Sequence, residues 1–144
     1  MNDNKGIALI LTLFSLLFIS LLVVAFLDTV TIDQQIATNQ IKDMQAIFLA
    51  DAGIEYAVYK LKNDNSYDTD TDGDGDVYPD DASDFDTDTL NTGSYKIGIP
   101  AGTLPKTVIC TGSVGTFDRS LEVIINGSGS SVRIESWNEL EEGV

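Results

Sequence analysis

Residues 7–27 read IALILTLFSLLFISLLVVAFL. The run has 21 residues without charge, Pro or Gly, and only Thr12, Ser15 and Ser20 interrupt its apolar character. A helix of that length spans roughly 30 Å, the thickness of a hydrocarbon core. A buried core helix is the alternative, but a chain of 144 residues has little mass with which to surround one on every side. A cleavable secretory signal has a shorter apolar region, about 7–15 residues, followed by a small-x-small site. This run ends in Phe26-Leu27-Asp28 with no such site, so it reads as a retained membrane span. Lys5 precedes it, and no Lys or Arg follows until Lys42. The positive-inside rule then puts the N-terminus in the cytoplasm and the remainder outside.

Helical character continues past the span. Residues 28–62 contain no Pro and a single Gly, Gly53. Ile36, Met44, Ile47, Ile54, Val58 and Leu61 fall near one face at 100° per residue, with Gln34, Gln35, Asn39, Lys42, Asp43 and Gln45 mostly elsewhere. One helix over residues 7–62 would be roughly 84 Å long, apolar all round in its first half and amphipathic in its second. The amphipathic half requires a partner surface.

Residues 90–144 supply that partner. Tyr95, Ile97 and Ile99 alternate, 107–111 reads TVICT, 120–126 reads SLEVIIN and 131–137 reads SVRIESW, with glycines between the runs. Three or four antiparallel strands are expected. One sheet face against the amphipathic half-helix makes a single α+β core.

Charge excludes further classes of function. The chain has 8 basic and 23 acidic residues, a net of -15, which disfavours nucleic acid as a partner. Eleven of the acids are Asp in residues 63–89, a stretch with no Lys or Arg, so the acidity belongs to one loop. The absence of His removes Ser-His-Asp and Cys-His catalysis and His-ligated metals. Cys110, the one cysteine, has no partner for an internal disulfide and lies in a strand pattern that makes it a small core hydrophobe. Asp51 and Glu55 stand one helical turn apart but have nothing catalytic converging on them, so they read as a solvated or subunit-facing pair. Trp137 reads as a core or sheet-edge aromatic. No enzymatic activity is expected.

The order of parts resembles the type IV pilin and pseudopilin superfamily. Lys5-Gly6 ahead of Ile7-Ala8-Leu9-Ile10-Leu11-Thr12-Leu13 is similar to a prepilin leader junction. Residues 48–57, FLADAGIEYA, are similar to a stretch of PilX-like minor pilins, and 134–139, IESWNE, looks like the last strand of that group. The resemblance implies a leader over residues 1–6, cleavage after Gly6 by a prepilin peptidase, and methylation of Ile7. It also implies an inner-membrane assembly platform and other pilin or pseudopilin subunits as partners. The implied location is the bacterial inner membrane and then a pilus or periplasmic pseudopilus. Most members carry Glu at the fifth residue after the cut, where this chain has Leu11. The missing Glu, and the missing Pro that commonly kinks major-pilin helices, point to a minor or tip subunit. A bitopic surface protein that binds calcium or another ligand without polymerising is the alternative.

The acidic stretch contains one further pattern. Residues 70–81, DTDGDGDVYPDD, fit a twelve-residue calcium loop. Asp70, Asp72 and Asp74 occupy positions 1, 3 and 5, Gly75 the turn at 6, Asp76 the carbonyl position 7, Val77 the apolar position 8, and Asp81 the closing position 12. A register starting at Asp68 puts Pro79 at position 12 and fails. The closing residue is Asp in place of the usual Glu, and downstream helical flanks are missing, so the loop is EF-like without being an EF-hand. Affinity in the range of about 10⁻⁴–10⁻³ M is expected. The competing reading is a solvated acidic tract.

Overall fold

A computed structural model describes residues 4–70, 85–90 and 93–140. The fold is α+β: one helix, α1 (Asn4–Asn63), precedes five strands, β1 (Phe85–Leu90), β2 (Gly93–Gly98), β3 (Lys106–Val114), β4 (Phe117–Asn126) and β5 (Arg133–Leu140). The strands form one antiparallel meander in the order β1-β2-β3-β4-β5.

The chain divides into two units, Met1–Gln40 and Ile41–Val144. In the first unit, two of the three hydroxyls that interrupt the apolar run bond to their own backbone. Thr12 donates to the Leu9 carbonyl and Ser15 to the Leu11 carbonyl, both at 2.9 Å. Such back-bonding lets a hydroxyl sit in an apolar helix without an outside partner. Large apolar residues from Ile7 to Leu27 are all more than half exposed, 51–69%.

In the second unit, the helix residues from Ala46 onward cover one face of the sheet. Ala50, Ile54, Ala57, Val58 and Leu61 share a core with Tyr95, Ile97, Ile99, Val108, Cys110, Leu121, Val123 and Ile125. Alternation on β3 turns Lys106, Val108, Cys110, Gly112 and Val114 inward. Arg119 on β4 clasps the helix through Asp43, Nε to Oδ1 at 2.5 Å.

The stripe expected from hydropathy is corrected on its N-terminal side: Ile36 and Met44 are exposed and Ile47 is only half-buried, whereas Ala46, Ala50, Gly53 and Ala57 are buried. Small residues face the sheet because the two backbones approach closely. A Cβ placed on Gly112 would lie 2.6 Å from the Ala50 nitrogen and would overlap the Ala46 carbonyl.

The helix ends where its carbonyls find other donors. The Asn63 side chain donates to the Tyr59 carbonyl at 2.9 Å, and the Asp64 amide to the Lys60 carbonyl at 2.9 Å. Asp64 then accepts from both the amide and the hydroxyl of Ser66, a turn that redirects the chain. Those two bonds hold the Asp64 carboxyl below its ordinary range.

A second correction concerns the loop boundaries. The stretch 63–89, expected as loop throughout, ends in strand: β1 starts at Phe85 and pairs with β2 from Phe85↔Gly98 to Leu90↔Gly93. The sheet therefore has five strands, where the alternating apolar runs imply three or four.

Candidate functional site

The residues singled out for chemistry fall in separate places. Gly6 and Ile7 lie in the first turns of α1; Ile7 is 66% exposed, and a Cβ added at Gly6 would point into open space. Helix α1 is long and apolar enough to cross a membrane, by length and composition.

Of the five calcium-loop residues, Asp70 is described and half-buried; Asp72, Asp74, Asp76 and Asp81 lie outside the described residues. Among the described residues no three acidic or cysteine side chains gather as a metal site. What the structure does describe is how the stretch is held at its ends. On the upstream limb, the Thr69 amide donates to the Ile99 carbonyl at 2.9 Å, and the Ile99 amide donates to the Thr69 hydroxyl at 2.8 Å. On the downstream limb, Phe85 pairs with Gly98. The two described ends, Thr69 and Phe85, are thus held at consecutive residues, Ile99 and Gly98. The fold itself therefore brings these two ends together.

Lys106, which hydropathy reasoning passes over, fastens the same limb. It is 2% exposed, and its Nζ donates to the Tyr67 carbonyl at 2.7 Å. Burial pulls its pKa below the ordinary lysine value, against the opposing pull of Asp68 and Asp64. Only its inward place in the alternation of β3 signals that role.

Two strand residues were hidden in the acidic composition. Asp86 and Asp88 alternate on β1, opposite Ile97 and Tyr95. With Tyr56, Thr87 and Tyr95 they line a cleft of about 110 Å³. The Tyr56 and Tyr95 rings lie 6.3 Å apart, and Tyr67 donates its hydroxyl to Asp86 at 3.2 Å. Lys60 stands over Tyr56 and Tyr67, 5.1 and 4.9 Å from the ring centroids.

The remaining candidates are quiet. Cys110 is fully buried and its thiol is pushed up to about 12, chiefly by burial and secondarily by the charge of Asp51, so thiolate chemistry is suppressed. Glu55 is exposed and Asp51 half-buried. Trp137 sits on edge strand β5, half exposed.

Compared with known proteins, the chain matches no family model, no curated protein and no solved structure.

Proposed function

We propose that the chain is a minor pilin or minor pseudopilin, a non-catalytic structural subunit of a type IV pilus or type II secretion-like filament. One observation carries the reading. A single helix runs from a half whose apolar residues are exposed all round into a half covered by an antiparallel sheet. An all-apolar surface of that extent needs a cover, and lipid first and neighbouring subunit helices later both provide one. The leader-like Lys5-Gly6 ahead of Ile7 supports the same reading, and Leu11 in place of Glu supports a minor role. On this proposal the N-terminus is cytoplasmic, the sheet domain lies outside the inner membrane, and a prepilin peptidase and assembly platform act on the chain. Calcium bound by Asp70, Asp72, Asp74, Asp81 and the Asp76 carbonyl stabilises the domain.

Mass spectrometry of the protein from cells with active prepilin peptidase tests the proposal. The expected mature N-terminus is methylated Ile7. An intact Met1 rejects it in favour of a bitopic surface protein. Filaments composed of this chain alone, on overexpression, would reject the minor role while leaving the pilin reading standing.

A further inference from the structure

We propose that the cleft lined by Tyr56, Asp86, Asp88 and Tyr95 seats the guanidinium of an arginine side chain carried by a partner protein. The inference stands apart from the leader and the calcium loop.

Four observations converge on a cationic occupant. Asp86 and Asp88 project from alternate positions of an edge strand, so both carboxylates reach the same side of the sheet. Two aromatic rings, Tyr56 and Tyr95, line the same cleft, Tyr95 being the cross-strand neighbour of Asp88. Ring faces attract cations, and they do so more strongly where water is partly excluded. The local preference is already visible in Lys60, which lies over Tyr56 and Tyr67. Finally, Tyr95 is 5% exposed, lines the cleft, and makes no hydrogen bond from its hydroxyl among the described residues. A ligand that donates N–H to that oxygen supplies a partner that no described protein group does.

Size and shape select among cations. Sites for small-molecule ligands usually enclose about 300–1,000 Å³. At about 110 Å³ the cleft holds one head group and leaves the rest of its carrier outside, as a side chain from a docked surface would be held. A guanidinium matches the wall chemistry better than an ammonium. It is planar, stacks on aromatic rings, and offers five donors in a fork that can reach two carboxylates and a phenol oxygen together. Asp86 and Asp88 are exposed at the rim, where their charges also steer a basic partner surface inward.

The test uses the full chain in lipid nanodiscs, with 3-fluorotyrosine at its five tyrosines. The fluorine signals are assigned by single Tyr→Phe variants. The probe is N-acetyl-arginine amide, with the isosteric, uncharged citrulline amide as control. Saturable shifts at Tyr56 and Tyr95, with exposed Tyr59 unmoved, are expected for arginine amide only. Asp88→Asn, which keeps the shape of an exposed side chain, is expected to weaken binding at least fivefold with unchanged melting temperature. No saturable shift, an equal response to citrulline amide, or unaltered binding in Asp88→Asn would overturn the proposal. Equal affinity for N-acetyl-lysine amide would overturn the guanidinium assignment. Tenfold tighter binding of free arginine than of the capped amide would overturn the partner-protein assignment in favour of a free amino acid.

Discussion

Gly53 on the helix and Cys110 on β3 stand so close that no side chain fits between them. A Cβ built on Gly53 would overlap the Cys110 sulfur and lie 2.8 Å from Cδ2 of Tyr95. The helix therefore rests on the sheet through backbone and small side chains, with Ala50 and Ala46 against Gly112 about one and two turns earlier. Close approach of this kind fixes the register of helix on sheet, because interiors pack at near-crystalline density and cannot absorb an extra methyl.

Gly53→Ala is accordingly expected to destabilise the fold by about 1–3 kcal/mol, although alanine is the better helix former. The substitution should be partly rescued by Cys110→Ala, which removes the overlapping sulfur. Denaturant unfolding of the two single variants and the double variant measures the coupling. Strict additivity would show that the contact is not the source of the cost.

That contact also explains which parts of the fold were legible in the sequence. Ile54, Val58 and Leu61 announce the covered face of α1, but Ala46, Ala50, Gly53 and Ala57 carry little hydropathy and are read only once the sheet is in place. Ile36 and Met44 pulled the expected stripe toward the N-terminus, although both are exposed. Strand β1, FDTDTL, has a period-two pattern, but its aspartates merge with an acidic stretch that reads as loop. At the candidate sites, the leader pattern singles out Gly6 and Ile7 and the loop spacing singles out Asp70. Asp86 and Asp88, both exposed, were missed because their strand reads as acidic loop, and Lys106 because charged residues are ordinarily solvated and nothing local marks an exception.

Lys106 is one such exception. Replacing it by Met keeps the apolar stem but leaves the Tyr67 carbonyl without its donor. A cost of about 1–3 kcal/mol is expected. Hydrogen exchange should localise the effect: the Thr69 and Ile99 amides, which bond to each other's residues on this limb, should lose protection while Val123 on β4 keeps it. Uniform loss of protection would mean that Lys106 supports the whole core and has no particular hold on the limb.

Stability should fall at alkaline pH, with Cys110 contributing. The thiol titrates near 9 in the unfolded chain and at about 12 in the fold. Below pH 9 both states hold the proton and nothing changes. Above it the unfolded chain releases a proton that the fold retains, so stability declines by up to about 1.4 kcal/mol per pH unit until the folded thiol also titrates. The raised pKa of Tyr95, due first to burial and then to Asp88, acts in the same direction from about pH 10. Lys106, lowered by burial, acts in the opposite direction. Comparison with Cys110→Ala isolates the thiol: between pH 8 and 10 the wild type should lose more stability than the variant. Parallel losses would assign the decline to tyrosines alone.

Calcium is expected to raise the melting temperature of the full chain in detergent. Thr69 on Ile99 and Phe85 opposite Gly98 hold the two ends of the acidic stretch side by side. A ligand that gathers Asp70, Asp72, Asp74 and Asp81 therefore does not have to bring the ends of the stretch together, and binding that favours the fold adds to its stability. Without a cation, carboxylates brought within a few ångströms repel one another. Binding that favours the fold contributes RT ln(1 + [L]/Kd), about 2.7 kcal/mol at a hundred times Kd. Melts in EDTA and in millimolar calcium should differ for the wild type and coincide for the double variant Asp72→Ala with Asp74→Ala. Lys106→Met, which loosens the upstream limb, should reduce the calcium response without abolishing it, since it removes preorganisation and no ligand. Coincident melts of the wild type with and without calcium would make the stretch a solvated tract, and the filament proposal would then rest on the leader and helix alone.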